Sequence, residues 1–574
     1  MLEVLNPARR GYAGPLVNVT AANHFWHLLP RHDPLAAQRA LSEALSDLAR
    51  RTQLNTDHVR ALLGIDQLAR SLADALLVDY SLGRGTQPHD PDAWQAAFEL
   101  SQSFAQAFEH ALRYLRGENP PRVPPEYLST VLLRLFQHRQ VEFLLRPFVS
   151  ERFLPDCWVE LHTAYLHAEL AGLLTQPLVS RRSDDARGDE STLEREFIHV
   201  LLMELLNVGQ LSPYDAFWVS RQIPRWRTVL SLQGEGVRAP GEPIEHCFVV
   251  DLGNAEGLVR PARSPMGTHL YLDPAPLLAL LRDEIAALRN PAGPLDHSAP
   301  IGRGRQLKLL RKIHAICQPK LERVDRRGDR LPMVSTVKAI VGLPHITRML
   351  RHEKRRGTDA ASLPVPGAEG LAGADRSAMD TSTGLPSDGA SGAAATGEYG
   401  VPHQEWQLKD RSASGCRLRG KIANPNRVLP GTLIAFRERD GLAWTLVIVR
   451  RLRKRIGDRV DIGVEYVGQN PLGVSLVAQG DPAGGSNAEP DEQRNRCTGL
   501  YLRASSEYPK IPFNTLILWP REYKVGRCLV LRSDEANYTV RLKEPIEEQD
   551  GFIWLPYEIL DRRAGGTDIL QEVA

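Results

Sequence analysis

The sequence has few cysteines and no long uncharged apolar run. Its six cysteines are scattered over 574 residues, and no two of them have the spacing of a metal site or a redox motif. So few thiols in so long a chain favour a reducing compartment. No uncharged apolar run approaches the ~20 residues that a membrane-spanning helix needs, and the first residues lack the apolar core of a signal peptide. We therefore expect a cytoplasmic protein with no membrane span.

The chain also has almost no net charge. Its 71 basic and 69 acidic side chains leave a formal charge of +2, which excludes a uniformly basic surface for polyanions. A site for a nucleotide or a nucleic acid must therefore be a local cluster of charges. The hydrophobic fraction of 42% and the charged fraction of 24% are typical of a soluble globular protein. The length predicts several domains.

Motifs of catalysis and metal binding are missing as well. The sequence contains no G-x-x-x-x-G-K-[ST] phosphate loop, no G-x-S-x-G nucleophile turn and no H-E-x-x-H zinc helix. His24 and His27 share one predicted helix, and His162 and His167 share another, but neither pair has a carboxylate cluster nearby. We therefore predict that the protein is not an enzyme and holds no metal ion or other cofactor.

The hydrophobic pattern predicts a multidomain α+β protein. Apolar stripes with a 3.6-residue period, as in WQAAFELSQSFAQAFEHALRYL, indicate an N-terminal helical bundle. Short strands between Gly, Pro and Asn turns dominate the C-terminal half, which suits small antiparallel barrels. The predicted domains are a helical domain at 1–235, a small α/β segment at 236–304, a strand-rich domain at 305–480 and a second β-domain at 492–565.

One segment of the strand-rich domain has a composition of its own. Gly, Ala, Ser, Thr and Pro occupy 31 of the 44 positions from 357 to 400, with almost no large apolar side chains. Such a segment cannot bury enough surface to offset the entropy cost of ordering it. We predict a disordered insertion that extends from one domain.

The most informative motif is D-x-S-x-x-G, formed by Asp410, Ser412 and Gly415 between two strand candidates. Together with an upstream R-x-x-x-R, it resembles the signature of PilZ domains, which are bacterial receptors for cyclic di-GMP. The segment from Gly463 to Tyr466 is similar to the closing strand of that family. The resemblance covers roughly residues 320–480. It implies a small antiparallel β-barrel that binds cyclic di-GMP.

The residue types in this motif suit that ligand. An arginine guanidinium can stack on a guanine and donate paired hydrogen bonds to phosphate or to the guanine edge. The carboxylate of Asp410 only accepts hydrogen bonds, so it suits the N1 and N2 donors of guanine. The hydroxyl of Ser412 can donate to a phosphate oxygen, and Gly415 lets backbone and ligand approach where a Cβ would collide.

The arginine half of the signature has several candidates. Between residues 320 and 410, three pairs have the R-x-x-x-R spacing: Arg323/Arg327, Arg326/Arg330 and Arg351/Arg355. We favour Arg326 and Arg330, with Arg327 as a third cation, because a strand follows them at once, as it does in the family. The pair at 351 and 355 lies at the end of a predicted helix, where cations are favoured electrostatically without any ligand.

Two weaker features leave alternatives open. The stretch DLGNAEGL, from Asp251 to Leu258, partly matches the motif, with Gly253 in place of the serine. We interpret it as a β-turn, and a degenerate PilZ-like barrel at this place is the alternative. A basic run at 450–455 could reach the phosphates of the ligand or form the charged rim of a hairpin.

These observations predict a non-enzymatic bacterial signalling receptor that binds cyclic di-GMP through a PilZ-like barrel. The motifs of enzymes that make or degrade cyclic di-GMP are absent from the sequence. The helical domain is then expected to contact a protein partner. One alternative is an RNA- or DNA-binding adaptor, which the near-neutral charge disfavours. The other is a protein-interaction scaffold whose barrel has lost its ligand.

Overall fold

The structure of the chain is a computed structural model. The residues that it describes are 14–82, 91–117, 124–149, 155–180, 189–234, 247–254, 256–259, 269–290, 301–318, 330–360, 403–421, 428–439, 441, 443–454, 459–478, 496–505, 511–532 and 536–564. The chain divides into two compact units, Met1–Arg326 and Arg327–Ala574. Over the described ranges, no helix is long and apolar enough to cross a membrane.

The first unit is built mainly from helices. Its α-helices are α1 (Val19–Leu28), α2 (Pro34–Ala49), α3 (Thr56–Leu82), α4 (Pro91–Leu115), α5 (Pro125–Val149), α6 (Pro155–Leu170), α7 (Leu193–Leu205), α8 (Pro213–Trp226), α9 (Ala275–Arg289) and α10 (Arg303–Cys317). The side chain of Asp33 caps α2 by accepting a hydrogen bond from the Ala36 N–H. In α4 the apolar stripe that includes Trp94 and Phe98 is buried. The prediction of an N-terminal helical region is confirmed.

A buried arginine connects three of these helices. Arg139 of α5 bonds Glu142 on its own helix at 2.9 Å through Nη1. Its Nη2 atom lies 2.5 Å from Glu160 Oε2 of α6 and also bonds Glu109 of α4. A buried charge that loses its partner is costly, so this cluster disfavours other arrangements of the three helices.

The first unit also contains a hairpin and a small open sheet. Their strands are β1 (Leu178–Ser180), β2 (Asp189–Ser191), β3 (Leu232–Gly234), β4 (Phe248–Asp251), β5 (Leu258–Val259) and β6 (His269–Leu272). β1 pairs with β2, and the sheet has the order β3-β6-β4-β5. The stretch DLGNAEGL connects β4 to β5, and its Gly253 N–H donates to Asp251 Oδ1 at 2.9 Å, as in an Asx turn. The described strands form an open sheet here and no second PilZ-like barrel.

The first half of the second unit is a closed barrel. Its elements are β7 (Leu331–Val341), α11 (Leu343–Ala360), β8 (Gln404–Arg411), β9 (Gly415–Lys421), β10 (Leu433–Glu438), β11 (Thr445–Lys454) and β12 (Arg459–Gln469). The strands close in the order β10-β11-β12-β9-β8-β7. Trp406 and Leu408 fill the interior, and Gly420 makes room for the indole, because a Cβ there would lie 2.6 Å from Trp406 Cδ1. The predicted small antiparallel barrel is confirmed.

The predicted disordered insertion interrupts this barrel between α11 and β8. Its first four residues, 357–360, end α11. The remaining positions, 361–400, lie outside the described residues, so the disorder stays a prediction.

The second half of this unit is another barrel. Its strands are β13 (Leu472–Ala478), β14 (Arg496–Leu502), β15 (Thr515–Leu518), β16 (Cys528–Arg532), β17 (Ala536–Leu542), β18 (Glu547–Gln549) and β19 (Phe552–Ala564). Six of them follow the order β15-β14-β13-β16-β17-β19, and β19 closes the ring by pairing with β15, while β18 adds to its edge. The predicted C-terminal β-domain is therefore a barrel as well. It includes β13, which the predicted boundary at 480 had assigned to the first barrel.

The two barrels share a hydrophobic core with α11. The cluster joins Ile346 of the helix to Ile448 of the first barrel and to Leu500 and Trp554 of the second. Beside it, Arg450 of the first barrel donates from Nη1 to Glu547 Oε1 of the second barrel at 3.0 Å. The apolar and ionic contacts together fix the second barrel against the first.

We expect Arg450→Met to destabilise the second unit by about 2 kcal/mol, because it leaves the buried Glu547 carboxylate without this cation. Arg450 is itself about one-third exposed, so the loss should lie below that of a fully buried pair. Urea unfolding of the full chain, followed by tryptophan fluorescence, measures the change. Arg450→Met combined with Glu547→Gln should recover part of it, and an undiminished loss in the double variant would contradict this account.

Candidate ligand-binding site

The D-x-S-x-x-G motif forms the hairpin between β8 and β9. Arg411 lies opposite Cys416 at the last pair of the hairpin. The backbone N–H of Ser412 donates to the Gly415 carbonyl oxygen at 2.8 Å, and the Ser412 hydroxyl donates to the same oxygen at 3.0 Å. The turn is therefore closed by its own backbone and by the motif serine.

A β-bulge turns Asp410 to the outside of the barrel. Leu408 pairs with Leu418, and both side chains lie in the core. The register shifts between Leu408 and Asp410, so that Asp410 pairs with Arg417 instead of continuing the inward-facing series. Because side chains alternate along a strand, the extra residue moves Asp410 to the outer face.

The carboxylate of Asp410 is held between two arginines. Arg330 donates from Nη1 to Asp410 Oδ1 at 3.2 Å, and Nε of Arg417 lies 2.9 Å from Asp410 Oδ2. Asp410 is 6% exposed, whereas the Arg330 side chain is 59% exposed. The sheet register explains this convergence, since Asp410 pairs with Pro332 at the start of β7 and with Arg417 on β9.

Arg417 is the site residue that sequence reasoning missed. A signal for it was present, because a four-residue connection from Ser412 to Gly415 places Arg411 opposite Cys416 and hence Asp410 opposite Arg417. The motif pattern itself does not include this position. The structure thus adds a second cation on the Asp410 carboxylate, beside Arg330.

The predicted arginines are only partly described. Arg326 and Arg327 lie outside the described residues, so their place in the site stays a prediction. The competing R-x-x-x-R pair begins at Arg351, which lies in α11 beside Gly473 of the second barrel. Of the arginines predicted for the site, Arg330 is the one that the structure places against Asp410.

Gly415 has a structural reason to be glycine. A Cβ at this position would lie 2.0 Å from the carbonyl oxygen of Val464 on the neighbouring strand β12. Gly463, in the segment similar to the closing strand of the family, has more room, because its Cβ would lie 3.5 Å from Arg451 Cβ. Close strand packing therefore requires glycine at 415, separately from any approach of a ligand.

The outer face next to Asp410 is rich in arginine. Across β9, β12 and β11, Arg417 lies opposite Gly463, which lies opposite Arg451. In the next row Arg419 forms a paired contact with Asp461, with distances of 2.6 and 3.1 Å. Neighbouring arginines of the basic run on β11 have different surroundings. Arg451 is exposed on this outer face, whereas Arg450 contacts Glu547 of the second barrel.

Arg411, at the end of β8 next to the hairpin, connects this strand to two other strands of the barrel. Arg411 donates from Nε to Tyr466 Oη at 3.1 Å and from Nη2 to Glu438 Oε1 at 2.8 Å. Burial raises the pKa of the neighbouring Cys416 thiol to about 12, so this thiol stays protonated and unreactive near neutral pH. These contacts give the motif hairpin a rigid base.

In the part of the chain that the structure covers, no three His, Cys, Asp or Glu side chains are grouped so that they could hold a metal ion.

Comparison with known proteins identifies a relationship in the helical region. A family model described as "Cyclic-di-GMP receptor FimW, N-terminal domain" matches residues 20–238. The match spans α1 to α8 and does not reach the barrels, so the chain is similar to that domain over less than half of its length. Comparisons with curated proteins and with solved structures found no match.

Proposed function

We propose that this chain is a cyclic di-GMP receptor and that the nucleotide binds at Asp410 on the outer face of the first barrel. The observation that carries the proposal is the buried carboxylate held between Arg330 and Arg417. Support comes independently from the helical region, which is similar to the N-terminal domain of a cyclic di-GMP receptor. The two lines of support concern different parts of the chain.

The carboxylate of Asp410 can read guanine without leaving Arg417. An ionised carboxylate has about four lone-pair positions, and the two arginine contacts use one oxygen each. The guanine N1 and N2 donors would take the positions that become accessible when Arg330 moves away from Asp410. Arg417 would keep the carboxylate in its orientation through the contact with Oδ2.

Arg330 is the cation that is free to move onto the ligand. Its side chain is more than half exposed, so water can solvate the guanidinium when the pair opens, and Arg417 still neutralises the buried Asp410 carboxylate. Arg330 can therefore exchange Asp410 for a phosphate or stack on a guanine at little cost. Arg326 and Arg327 would add further cations, and Ser412 would turn its hydroxyl from Gly415 to a phosphate oxygen.

The proposed output is a signal and not a reaction. Ligand binding would draw the arginines before β7 onto the barrel and favour one arrangement of the chain over another. The helical region would pass this change to a protein partner in the cytoplasm. A ligand can act in this way only if it binds one arrangement more tightly than the other.

Calorimetric titration with cyclic di-GMP tests the function, and Arg417 provides a specific variant. We expect saturable binding by the full chain and about tenfold weaker binding by Arg417→Gln, because the buried Asp410 carboxylate loses the cation 2.9 Å from its Oδ2 atom. The matched control is Arg419→Gln, which removes the same kind of cross-strand contact, to Asp461, one pair further along β9. Arg419→Gln should change the affinity less than twofold, and Arg417→Lys should restore part of it.

Each outcome of this titration has a separate meaning. No binding by the folded wild-type chain would overturn the receptor proposal. Wild-type affinity in Arg417→Gln would remove this residue from the site and leave the receptor proposal intact. Equal losses of affinity in Arg417→Gln and Arg419→Gln would show that each substitution disturbs β9 as a whole and not one contact with the ligand.

A further inference from the structure

A cationic cavity lies between α9 and α10 of the first unit. Its volume is about 470 Å³, and its lining residues are Arg282, Ile285, Ala286, Arg289, Arg311 and His314. The helices that form it span residues 275–317, after the range matched by the family model and before the first barrel. The proposed cyclic di-GMP site uses none of these residues.

Helical periodicity explains why these side chains meet. Arg282, Ile285 and Arg289 are spaced three and four residues apart, so they lie along one face of α9. Arg311 and His314 have the same relation on α10, which packs against α9. The two faces together form an open cavity in which Arg282, Ala286, Arg289 and Arg311 are exposed and Ile285 and His314 are partly buried.

The cavity carries positive charge without a matching carboxylate. α10 contains no acidic residue. Of the two acidic residues of α9, Glu284 bonds Arg225 and Trp226 of α8, and the exposed Asp283 does not line the cavity. Arg305 of α10 does not line the cavity and has an acidic partner, since its Nε lies 2.6 Å from Asp215 Oδ1. In the described part of the chain, none of the lining arginines lies within salt-bridge distance of a carboxylate.

His314 lies among these arginines. Burial lowers its pKa, and the positive charge of Arg282 lowers it further. The contribution of Arg282 has the sign expected where positive charges lie close together. An anion bound among these groups would relieve the repulsion.

We propose that the cavity between α9 and α10 binds a small phosphate-bearing molecule, with Arg282, Arg289 and Arg311 as its phosphate ligands. Guanidinium groups donate paired hydrogen bonds to phosphate oxygens, and three of them match the charge of a diphosphate group. The volume falls within the range of about 300–1,000 Å³ that is typical of small-molecule sites. Ile285 and Ala286 would pack against an apolar part of the molecule.

An acidic helix fits this cavity less well. A docked helix needs an apolar groove for several anchors along two or more turns. Here the apolar side chains of the lining are Ile285 and Ala286. The geometry therefore favours a compact anion over a protein segment, and it does so independently of the cyclic di-GMP site.

Inorganic pyrophosphate is the probe for this site. Calorimetric titration of the full chain should show saturable binding, and Arg282→Gln combined with Arg311→Gln should weaken it at least tenfold, because two charge-assisted contacts are lost. The control is Arg39→Gln combined with Arg221→Gln, which removes the same charge from exposed positions on α2 and α8. The control should stay within twofold, and circular dichroism checks that both double variants are folded.

Three results would overturn the assignment. They are no saturable binding of pyrophosphate by the wild type, equal affinity in the cavity variant and the control, or binding of single-stranded RNA through Arg282 and Arg311 without binding of pyrophosphate. The last result would assign the cavity to a nucleic acid. Loss of the cyclic di-GMP site by Asp410→Asn should leave pyrophosphate binding unchanged, so the two proposals fail separately.

Discussion

Asp410→Asn is expected to weaken cyclic di-GMP binding about 100-fold. Two charge-assisted hydrogen bonds from the guanine edge, each contributing about 1.5–3 kcal/mol, would be lost or weakened, and about 3 kcal/mol corresponds to that factor. The asparagine amide would also present a donor to groups that are themselves donors, both in guanine and in Arg330 and Arg417. Calorimetry with the full chain measures the change.

The matched control for this variant is Asp461→Asn. Asp461 is as buried as Asp410, at 6% exposed, and it likewise bonds an arginine of β9, Arg419. It lies in the next row of the same outer face, so its loss should affect stability in a similar way. Asp461→Asn should leave the affinity within twofold. If both variants lose binding equally, or if Asp410→Asn binds as well as the wild type, the proposed site is wrong.

Gly415→Ala is expected to destabilise the first barrel by about 3 kcal/mol. A Cβ at this position would lie 2.0 Å from the Val464 carbonyl oxygen, and backbone cannot move aside as a flexible side chain can. Forced overpacking typically costs about 1–3 kcal/mol and sometimes more. For a unit of this size, the melting temperature should fall by roughly 6–12 °C, which calorimetric melting of the full chain would detect.

Gly463→Ala is the control for this prediction. It tests whether any glycine-to-alanine substitution in these strands destabilises the barrel, or only one that brings a Cβ against the neighbouring backbone. Its Cβ would lie 3.5 Å from Arg451 Cβ, an ordinary contact, so the variant should lose less than about 1 kcal/mol. A melting temperature for Gly415→Ala that matches that of Gly463→Ala would mean that β9 and β12 can separate more easily than the structure indicates.

Local patterns were enough to predict the kinds of element and the place of the motif. The 3.6-residue stripe of α4 and the short alternating strands after Trp406 depend on neighbours along the chain, and both are found in the structure. The hairpin between β8 and β9 was predictable for the same reason, since Ser412 and Gly415 close a turn within four residues. Such features are set by contacts at short sequence separation.

Those local patterns do not predict which face of the barrel Asp410 occupies. Strict alternation from Trp406 and Leu408 would place Asp410 inside the barrel, and only the bulge before it turns the carboxylate outwards to Arg417. Alternation alone does not show a bulge, because a bulge depends on the partner strand. The contact with Arg330 likewise needs β7, which lies about 80 residues earlier in the sequence.

The barrel to which β13 belongs also depends on contacts between distant strands. The sequence of β13 reads as a continuation of the first barrel, yet it pairs with β14 and β16 of the second. The cavity between α9 and α10 also arises only when two helix faces pack together. The sequence by itself determined the elements and the motif, because these depend on local periodicity and turn chemistry. Tertiary structure decided the register, the barrel membership and the meeting of arginines with Asp410, because each depends on contacts between distant strands and helices.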